Sequence, residues 1–245
     1  MKRTEYLNEK PRLKYIIYLS LILSLLLNLT IYGLFSRVIY NNSVQIARHL
    51  IEYPKFKNAH SGFQYYNGLE FNINGTVVNE SNFSRLSGNY EKIVRPAVWQ
   101  YSENSSGISI KFKTNSPAIA VKWKLSNFKE YSHISAICSS GLDLYCLVGD
   151  KWQYISSGVP KFLDNEQVLI SNMDTIRKDF IINLPLYDGV ESIEIGVNKG
   201  FQISSAKNNY KIPKPVVFYG TSITQGASAS RPGLAYPSII SRELN

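Results

Sequence analysis

Residues 107–125 read GISIKFKTNSPAIAVKWKL, and their pattern decides the fold class. Ile108, Ile110 and Phe112 alternate with polar residues, which places their side chains on one face of an extended strand. After the turn TNSP the alternation resumes at Ile119, Val121, Trp123 and Leu125. Such alternation is typical of strands that bury one face and leave the other in solvent. The stretch therefore predicts antiparallel β structure.

Further segments of this kind recur between about Gly62 and Lys211, where no long helical period interrupts them. Frequent short strands without intervening helices indicate a mainly β fold, an antiparallel β-sandwich of jelly-roll type. The other candidate strands are LDLYCLV (142–148), KWQYIS (151–156), DFIINLPL (179–186) and SIEIGVNK (192–199).

A long apolar run lies near the N-terminus. Residues 15–35 read YIIYLSLILSLLLNLTIYGLF and carry no formal charge, and their length suits a helix that crosses a bilayer. Basic residues precede the run, so the positive-inside rule predicts a cytoplasmic N-terminus and export of the rest. We expect an uncleaved anchor with an extracytoplasmic domain, because no small-x-small cleavage site follows the run. The alternative is a cleaved signal peptide and a secreted protein.

The charge and the cysteines narrow the possibilities further. The net charge of the 245 residues is +9, but no basic stripe or nucleic-acid motif accompanies it. This pattern indicates a solvated basic surface and gives no support to a nucleic-acid partner. Cys138 and Cys146 flank the run SSGLDLY. They could pair across a hairpin in an oxidising compartment, or they could be two buried free thiols.

The character of the sequence changes after Lys211. A Pro-containing linker leads to an apolar strand at 216–219, a turn of small residues at 220–226 and an amphipathic helix at 235–244. Strand, tight turn and helix form the opening unit of an α/β domain. Such a turn can present a serine hydroxyl as a nucleophile, which makes Ser222 a candidate. Judged on the turn alone, a simple helix N-cap is the more common role for this serine.

These observations divide the chain into five parts. They are a basic cytoplasmic tail (1–14), a transmembrane signal anchor (15–35), a stalk (36–61), a β-sandwich domain (62–211) and the incomplete start of an α/β domain (212–245).

A family resemblance adds to this interpretation. FYGTSITQG (218–226) resembles the first conserved block of the SGNH hydrolases, also called GDSL-like, whose usual form is Gly-Asp-Ser. ASRPGLAYPSIISRELN (229–245) resembles the helix that follows in one subgroup of that family. GLDLY (141–145) is similar to the signature of the GxDLY-type β-sandwich that precedes the hydrolase domain in this subgroup. The resemblance extends from about Phe83 to Asn245.

The resemblance implies a serine esterase without metal or cofactor. Ser222 would be the nucleophile, and its own backbone N–H would be one donor to the oxyanion. The family takes its other donors from a later Gly and a later Asn, and its base from a terminal Asp-x-x-His. The sequence has no such pattern around its three histidines, so we expect these 245 residues alone to be inactive. Thr221 stands where many members have Asp and supplies no carboxylate.

Four further residues are weak candidates for substrate binding. Asp143 and Tyr145 could contact a ligand, or they could cap a turn and pack in the core. Trp99 and Trp152 could offer a surface on which a sugar ring stacks. Trp123 alternates with apolar residues and is expected in the core.

Three functions fit the sequence. The first is the N-terminal part of an esterase whose full-length form removes acyl groups, acetyl above all, from carbohydrates or small alcohols. The second is a membrane-tethered β-sandwich that binds a carbohydrate or another partner. The third is a truncated product without function, in which the segment from about Pro215 would be poorly ordered or prone to aggregate.

Overall fold

A computed structural model describes residues 62–76, 83–128, 130–208 and 214–244. All of them fall in one compact unit, residues 59–245. The strands within these ranges are β1 (Phe63–Asn67), β2 (Asn72–Asn74), β3 (Ser109–Thr114), β4 (Ile119–Leu125), β5 (Leu142–Val148), β6 (Lys151–Gly158), β7 (Asp164–Ile170), β8 (Lys178–Asn183), β9 (Val190–Asn198) and β10 (Ile203–Ser205). The helices are α1 (Pro96–Ser102), α2 (Ala136–Ser140), α3 (Ser222–Gln225) and α4 (Tyr236–Glu243).

The alternating stretch at 107–125 forms β3 and β4, but these two strands belong to different sheets. The first sheet has the order β1-β9-β4-β7, and the second has the order β10-β3-β8-β5-β6, with β2 also paired to β3. Every pairing is antiparallel. The mainly β, antiparallel class predicted from the alternation is therefore confirmed.

One apolar core joins the two sheets. Trp123 of β4 is 2% exposed, and its indole Nε1 donates to the carbonyl of Ser140 at 3.3 Å. The rings of Phe112 and Phe180 stack at 5.5 Å between centroids on the second sheet. Burial of each such side chain contributes about 2 kcal/mol to the stability of the fold. The alternating apolar residues therefore account for much of the free energy that favours folding. Other members are Ile110, Ile119, Val121, Leu144, Ile182, Ile193 and Ile195.

The outer face of the second sheet is polar in part, and it carries the residues that matter below. The register pairs Asp143 of β5 with Asn183 of β8, and Tyr145 of β5 with Tyr154 of β6. Residues paired across antiparallel strands point to the same face. Asp143 is nevertheless fully buried, because the segment after Thr221 covers it.

The last described segment differs in part from its sequence interpretation. The predicted helix is present as α4. The predicted strand at 216–219 is not, because no described residue pairs with it, and a strand exists only through hydrogen bonds to a neighbour. The side chains of Val217 and Tyr219 are largely exposed, by 78% and 100%. From Thr221 onwards, in contrast, the chain packs on the sandwich.

The described ranges contain no helix that is long and apolar enough to span a membrane. The tail, the anchor at 15–35 and the whole stalk at 36–61 lie outside them, as do His49 and His60.

The cysteines do not form the disulfide that the hairpin alternative proposed. Both are free and buried. Cys138 lies on α2 and Cys146 on β5, so the two thiols are not on facing strands of a hairpin. Burial raises the pKa of the Cys138 thiol to about 11, which keeps it protonated. The buried free thiol alternative is correct.

Candidate active site

The candidate nucleophile lies on a tight turn, residues 220–227, which we call the serine turn. Thr221 is extended and precedes α3, and Ser222 is the first residue of this short helix. Gly226 ends the helix with φ of 108°, a left-handed conformation that side chains other than glycine rarely adopt. A Cβ on Gly226 would also lie 2.5 Å from Cδ1 of Leu186. The sequence Thr-Ser-x-x-x-Gly thus dictates a single closed turn.

Three donors converge on the backbone carbonyl of Ser222. The N–H groups of Gly226 and Ala227 donate to it at 3.0 and 2.8 Å, which closes the turn. The hydroxyl of Tyr187, a residue of the sandwich, donates to the same oxygen at 3.0 Å. Ser222 itself is exposed. The turn therefore holds its backbone while it leaves the serine open to solvent.

The sandwich holds the far end of the turn through Gln225. The side-chain amide of Gln225 donates to the carbonyl of Leu186 at 2.7 Å. The hydroxyl of Ser106 donates to the carbonyl of Gln225 at 2.9 Å. Beneath the turn, a small apolar cluster joins the two parts of the fold: Ile134, Cys138, Leu186 and Ala235, with Tyr131, Tyr187 and Ala229 at its edge.

Asp143 binds the loop that follows the serine turn. Its Oδ2 accepts the backbone N–H of Gly233 at 2.7 Å, and its Oδ1 accepts the side-chain amide of Asn183 at the same distance. Nε of Arg231 lies 3.4 Å from Oδ2. A Cβ on Gly233 would lie 2.6 Å from the Tyr145 ring and 2.7 Å from the Asp143 carboxylate, so the close approach requires glycine.

Two arginines and two tyrosines surround this contact. The guanidinium of Arg231 lies 3.9 Å from the centre of the Tyr154 ring, and its Nη2 donates to the Tyr145 hydroxyl at 3.1 Å. The guanidinium of Arg242, from α4, lies 4.1 Å from the centre of the Tyr145 ring and donates to the carbonyl of Gly233 at 2.7 Å. Contacts of this kind attract through the ring quadrupole. We call Asp143, Tyr145, Tyr154, Asn183, Arg231, Gly233 and Arg242 the interface cluster.

The charged side chains of the interface cluster are shielded from solvent. Burial raises the pKa of Asp143 to about 6, against the opposing effect of the bonds from Asn183 and Gly233 and of the two arginines. Burial likewise lowers the pKa of Arg242. At neutral pH the buried carboxylate is ionised and faces two cations, which is the arrangement that makes a buried charge tolerable.

The structure separates the four substrate-binding candidates. Asp143 and Tyr145 are 0% and 3% exposed and bind residues of the same chain, so their geometry matches a structural role. Trp152 lies on β6 beneath the ammonium of Lys111, which is 5.3 Å from its ring centre. Trp99 lies on α1 and is partly exposed. Trp123 is in the core, as expected.

Several residues at the site carry no local signal in the sequence. Tyr187 contacts Ser222 across 35 residues, and Gly233 contacts Asp143 across 90. Arg231 and Gly233 do fall within the stretch that resembles the SGNH subgroup, but that resemblance says nothing about their partners. His133 is exposed, and its ring contacts Tyr131 edge-on at 6.1 Å. Among the described residues no group of acidic, His and Cys side chains could hold a metal ion.

Profiles of known families match both the β-sandwich and the segment that contains the serine turn. The profile of the GxDLY family, the N-terminus of SGNH hydrolase-type esterases, matches residues 63–203. The profile of a GDSL-like lipase and acylhydrolase family matches residues 213–245, which contain the serine turn. No curated protein matches the sequence.

Three solved structures are similar to the chain. A GDSL-like lipase from Bacteroides ovatus ATCC 8483 is 38% identical, with a TM-score of 0.70 over 74% of this chain. The chain covers 53% of that protein, or about half its length. A salicylyl-acyltransferase of a tetracycline biosynthetic pathway is 15% identical, with a TM-score of 0.47 over 60% of this chain and 43% of its own. An acetyl xylan esterase from the rumen bacterium Butyrivibrio proteoclasticus is 12% identical, with a TM-score of 0.35 and coverage of 62% and 35%.

The match to the sandwich spans more than half of the chain, and the serine turn has a matching family of its own. The chain therefore belongs to the GxDLY family and is an N-terminal portion of an SGNH/GDSL-type hydrolase.

Proposed function

We propose that this chain is the N-terminal part of a membrane-anchored serine esterase in which Ser222 is the nucleophile. The observation that supports this proposal most strongly is the serine turn itself. An exposed serine begins a short helix, and hydrogen bonds between the turn and the sandwich hold the Ser222 carbonyl and Gln225, three residues further on. A nucleophile needs this combination of an accessible hydroxyl and a fixed backbone.

The proposed reaction is acyl transfer through the serine. Oγ of Ser222 attacks the ester carbonyl carbon while a base takes its proton, and the alcohol leaves with a proton. Water then cleaves the acyl-serine and releases the acid. The backbone N–H of Ser222 would stabilise the oxyanion. In the family, the other donors are a later Gly and a later Asn, and the base belongs to an Asp-x-x-His.

The substrate class that we propose is a short acyl ester, acetyl above all, of a carbohydrate or small alcohol. Gly220, Thr221 and Ala227 are small residues of the serine turn, and Ser222 is exposed to solvent. The chemistry requires neither a metal nor a cofactor.

A comparison with Ser222→Ala tests the proposal. The protein is produced from the whole reading frame that encodes this chain, and hydrolysis of p-nitrophenyl acetate and of acetylated sugars is measured. We expect the substitution to lower kcat at least about a thousandfold, since it removes the attacking group. Full activity in the variant would refute the role of Ser222. A folded protein that hydrolyses no ester of this panel would refute the esterase proposal.

The second candidate is a carbohydrate-binding sandwich, and one surface favours it. Residues at and before α1 expose several large side chains, among them Tyr90, Ile93 and Tyr101 at 46%, 74% and 60%. Exposed aromatic side chains of this kind can stack on sugar rings. A glycan array with the purified sandwich tests this candidate, and an absence of binding at high protein concentration would rule it out.

We also infer that the sandwich has jelly-roll connectivity. If β2 and β10 are set aside as short additions, the eight remaining strands follow the orders 1-8-3-6 and 2-7-4-5 when they are renumbered along the chain. Two interleaved four-stranded sheets of this kind are the jelly-roll arrangement.

A further inference from the structure

Tyr187 reaches from the sandwich to the serine turn. It lies in the loop between β8 and β9, and this loop is held at its base by α2. The backbone N–H groups of Leu186 and Tyr187 donate to the carbonyls of Cys138 and Ser139, both at 3.1 Å. From this fixed position the Tyr187 hydroxyl donates to the carbonyl of Ser222 at 3.0 Å. The tyrosine is therefore a rigid link between a helix of the sandwich and the candidate nucleophile.

The other two donors to the Ser222 carbonyl have a different structural effect. The N–H groups of Gly226 and Ala227 belong to the serine turn, so they close it on itself without placing it against the sandwich. Tyr187 supplies the bond that ties this carbonyl to the sandwich. The carbonyl shares the Cα of Ser222 with the side chain and with the backbone N–H. A shift of the carbonyl therefore moves both the attacking oxygen and the proposed oxyanion donor.

The surroundings of Tyr187 keep it in place as a neutral donor. Its ring meets the ring of Tyr131 edge-on, at 5.8 Å between centroids and 67° between planes. It packs at the edge of the apolar cluster beneath the turn. Burial raises the pKa of its hydroxyl, so the proton that it donates to Ser222 stays on the tyrosine at physiological pH.

We propose that Tyr187 is a positioning residue for Ser222, so that the β-sandwich takes part in the esterase reaction by fixing the nucleophile. The inference rests on the proposed function of Ser222. It assigns to the sandwich a role in the chemical step, separate from any role in binding carbohydrate.

Tyr187→Phe tests the inference, because it removes one hydroxyl and keeps the ring. In the protein produced from the whole reading frame, we expect kcat for p-nitrophenyl acetate to fall about tenfold while KM changes less than twofold. Labelling of Ser222 by a fluorophosphonate should slow by a similar factor. Hydrogen exchange of the amides at 222–227 should become faster, which reports the loosened turn without reference to activity.

Tyr65→Phe is the matched control. It also removes one tyrosine hydroxyl, which in this case lies on the first sheet and donates to Glu166 of β7, and it should leave kcat, labelling and exchange of the serine turn unchanged. Equal kcat in Tyr187→Phe and the wild type would overturn the inference, as would equal losses in the two variants. Ser222→Ala separates the two proposals, since an active Ser222→Ala enzyme refutes the nucleophile itself.

Discussion

Asp143 is a carboxylate at full burial whose partners come from two separate parts of the chain. Asn183 holds one oxygen from within the sheet, and Gly233 and Arg231 hold the other from the loop after the serine turn. Burial is the dominant influence on its ionisation. The free energy of unfolding should therefore carry a pH dependence that this one residue supplies.

The change that tests this is Asp143→Asn. The pKa of Asp143 is about 6 in the folded protein, above its ordinary value of 3.8, so the folded form binds its proton more tightly. The resulting stabilisation is complete below about pH 4 and is lost as the pH rises through 6. We expect the unfolding free energy of the wild type, relative to Asp143→Asn, to fall by roughly 2 kcal/mol between pH 4 and 7.

Urea unfolding at several pH values measures this difference. Ser222→Ala is the control, because it leaves the interface cluster intact and its unfolding free energy should follow that of the wild type at every pH. Parallel curves for the wild type and Asp143→Asn would contradict the assignment of the pH dependence to this carboxylate.

At the level of single residues, the sequence points to Ser222 and Asp143 but not to what holds them. The turn of small residues and the GLDLY motif are local patterns. The contacts of Tyr187, Arg231 and Arg242 depend on which strands become neighbours, and nothing in their immediate sequence encodes this. A lone tyrosine in a loop has the same local sequence whether it bonds a nucleophile or solvent.

The strands differ in how well their sequences predict them. The segment LDLYCLV coincides with β5, and the other alternating segments give β3, β4, β6, β8 and β9. β7 has the sequence DNEQVLI, whose first half is polar, and it becomes a strand by pairing with β4. The segment at 216–219 is the reverse case, since it is apolar throughout but has no partner among the described residues. Whether each of these segments becomes a strand depends on a neighbouring strand with which it can pair. Alternation in the sequence shows only which side chains are buried once the strand has paired.

The exposed segment at 216–219 makes a prediction about proteolysis of these 245 residues. Among residues 83–128, 130–208 and 214–244, limited chymotrypsin digestion should make its first cut after Phe218 or Tyr219, because neither is held in a strand or helix. Phe162 is also exposed, but the side chain of Asn165 binds its backbone N–H and carbonyl.

Mass spectrometry of the early fragments identifies the site of cleavage. A variant with Phe218→Ser and Tyr219→Ser is the control and should lose this cut. A first cut at Tyr236, or at Phe162, would show that the segment is better protected than its exposure indicates.

At the scale of the whole molecule, the sandwich and residues 221–244 belong to one compact unit. The sequence predicted a β-sandwich domain (62–211) followed by the incomplete start of a second domain (212–245), and that division stays a prediction. The polar outer face of the second sheet is the surface on which the terminal segment packs. Asn183 binds the buried Asp143, whose other carboxylate oxygen accepts the backbone N–H of Gly233 in the loop after the serine turn, and Arg242 binds the carbonyl of Gly233, so the segment packs without a further sheet beneath it.

The membrane anchor proposed at residues 15–35 has its own test. We expect the protein to remain in bacterial membranes after extraction with alkaline carbonate, because residues 15–35 are long and apolar enough to span the bilayer. Deletion of residues 1–35 should release it into the soluble fraction. Release of the complete chain by carbonate, or removal of its N-terminus by signal peptidase, would favour secretion instead.

The fit of Gly233 limits how the parts of this protein can be exchanged with those of its relatives. Many binding modules can be recombined freely because a flexible linker is their only attachment. Here a methyl group on Gly233 would overlap the Tyr145 ring and the Asp143 carboxylate, and both of these belong to the sandwich. A chimera that joins this sandwich to a foreign hydrolase will assemble only if the incoming loop brings a glycine and a cation at the matching positions. The two parts must therefore be inherited, or engineered, together.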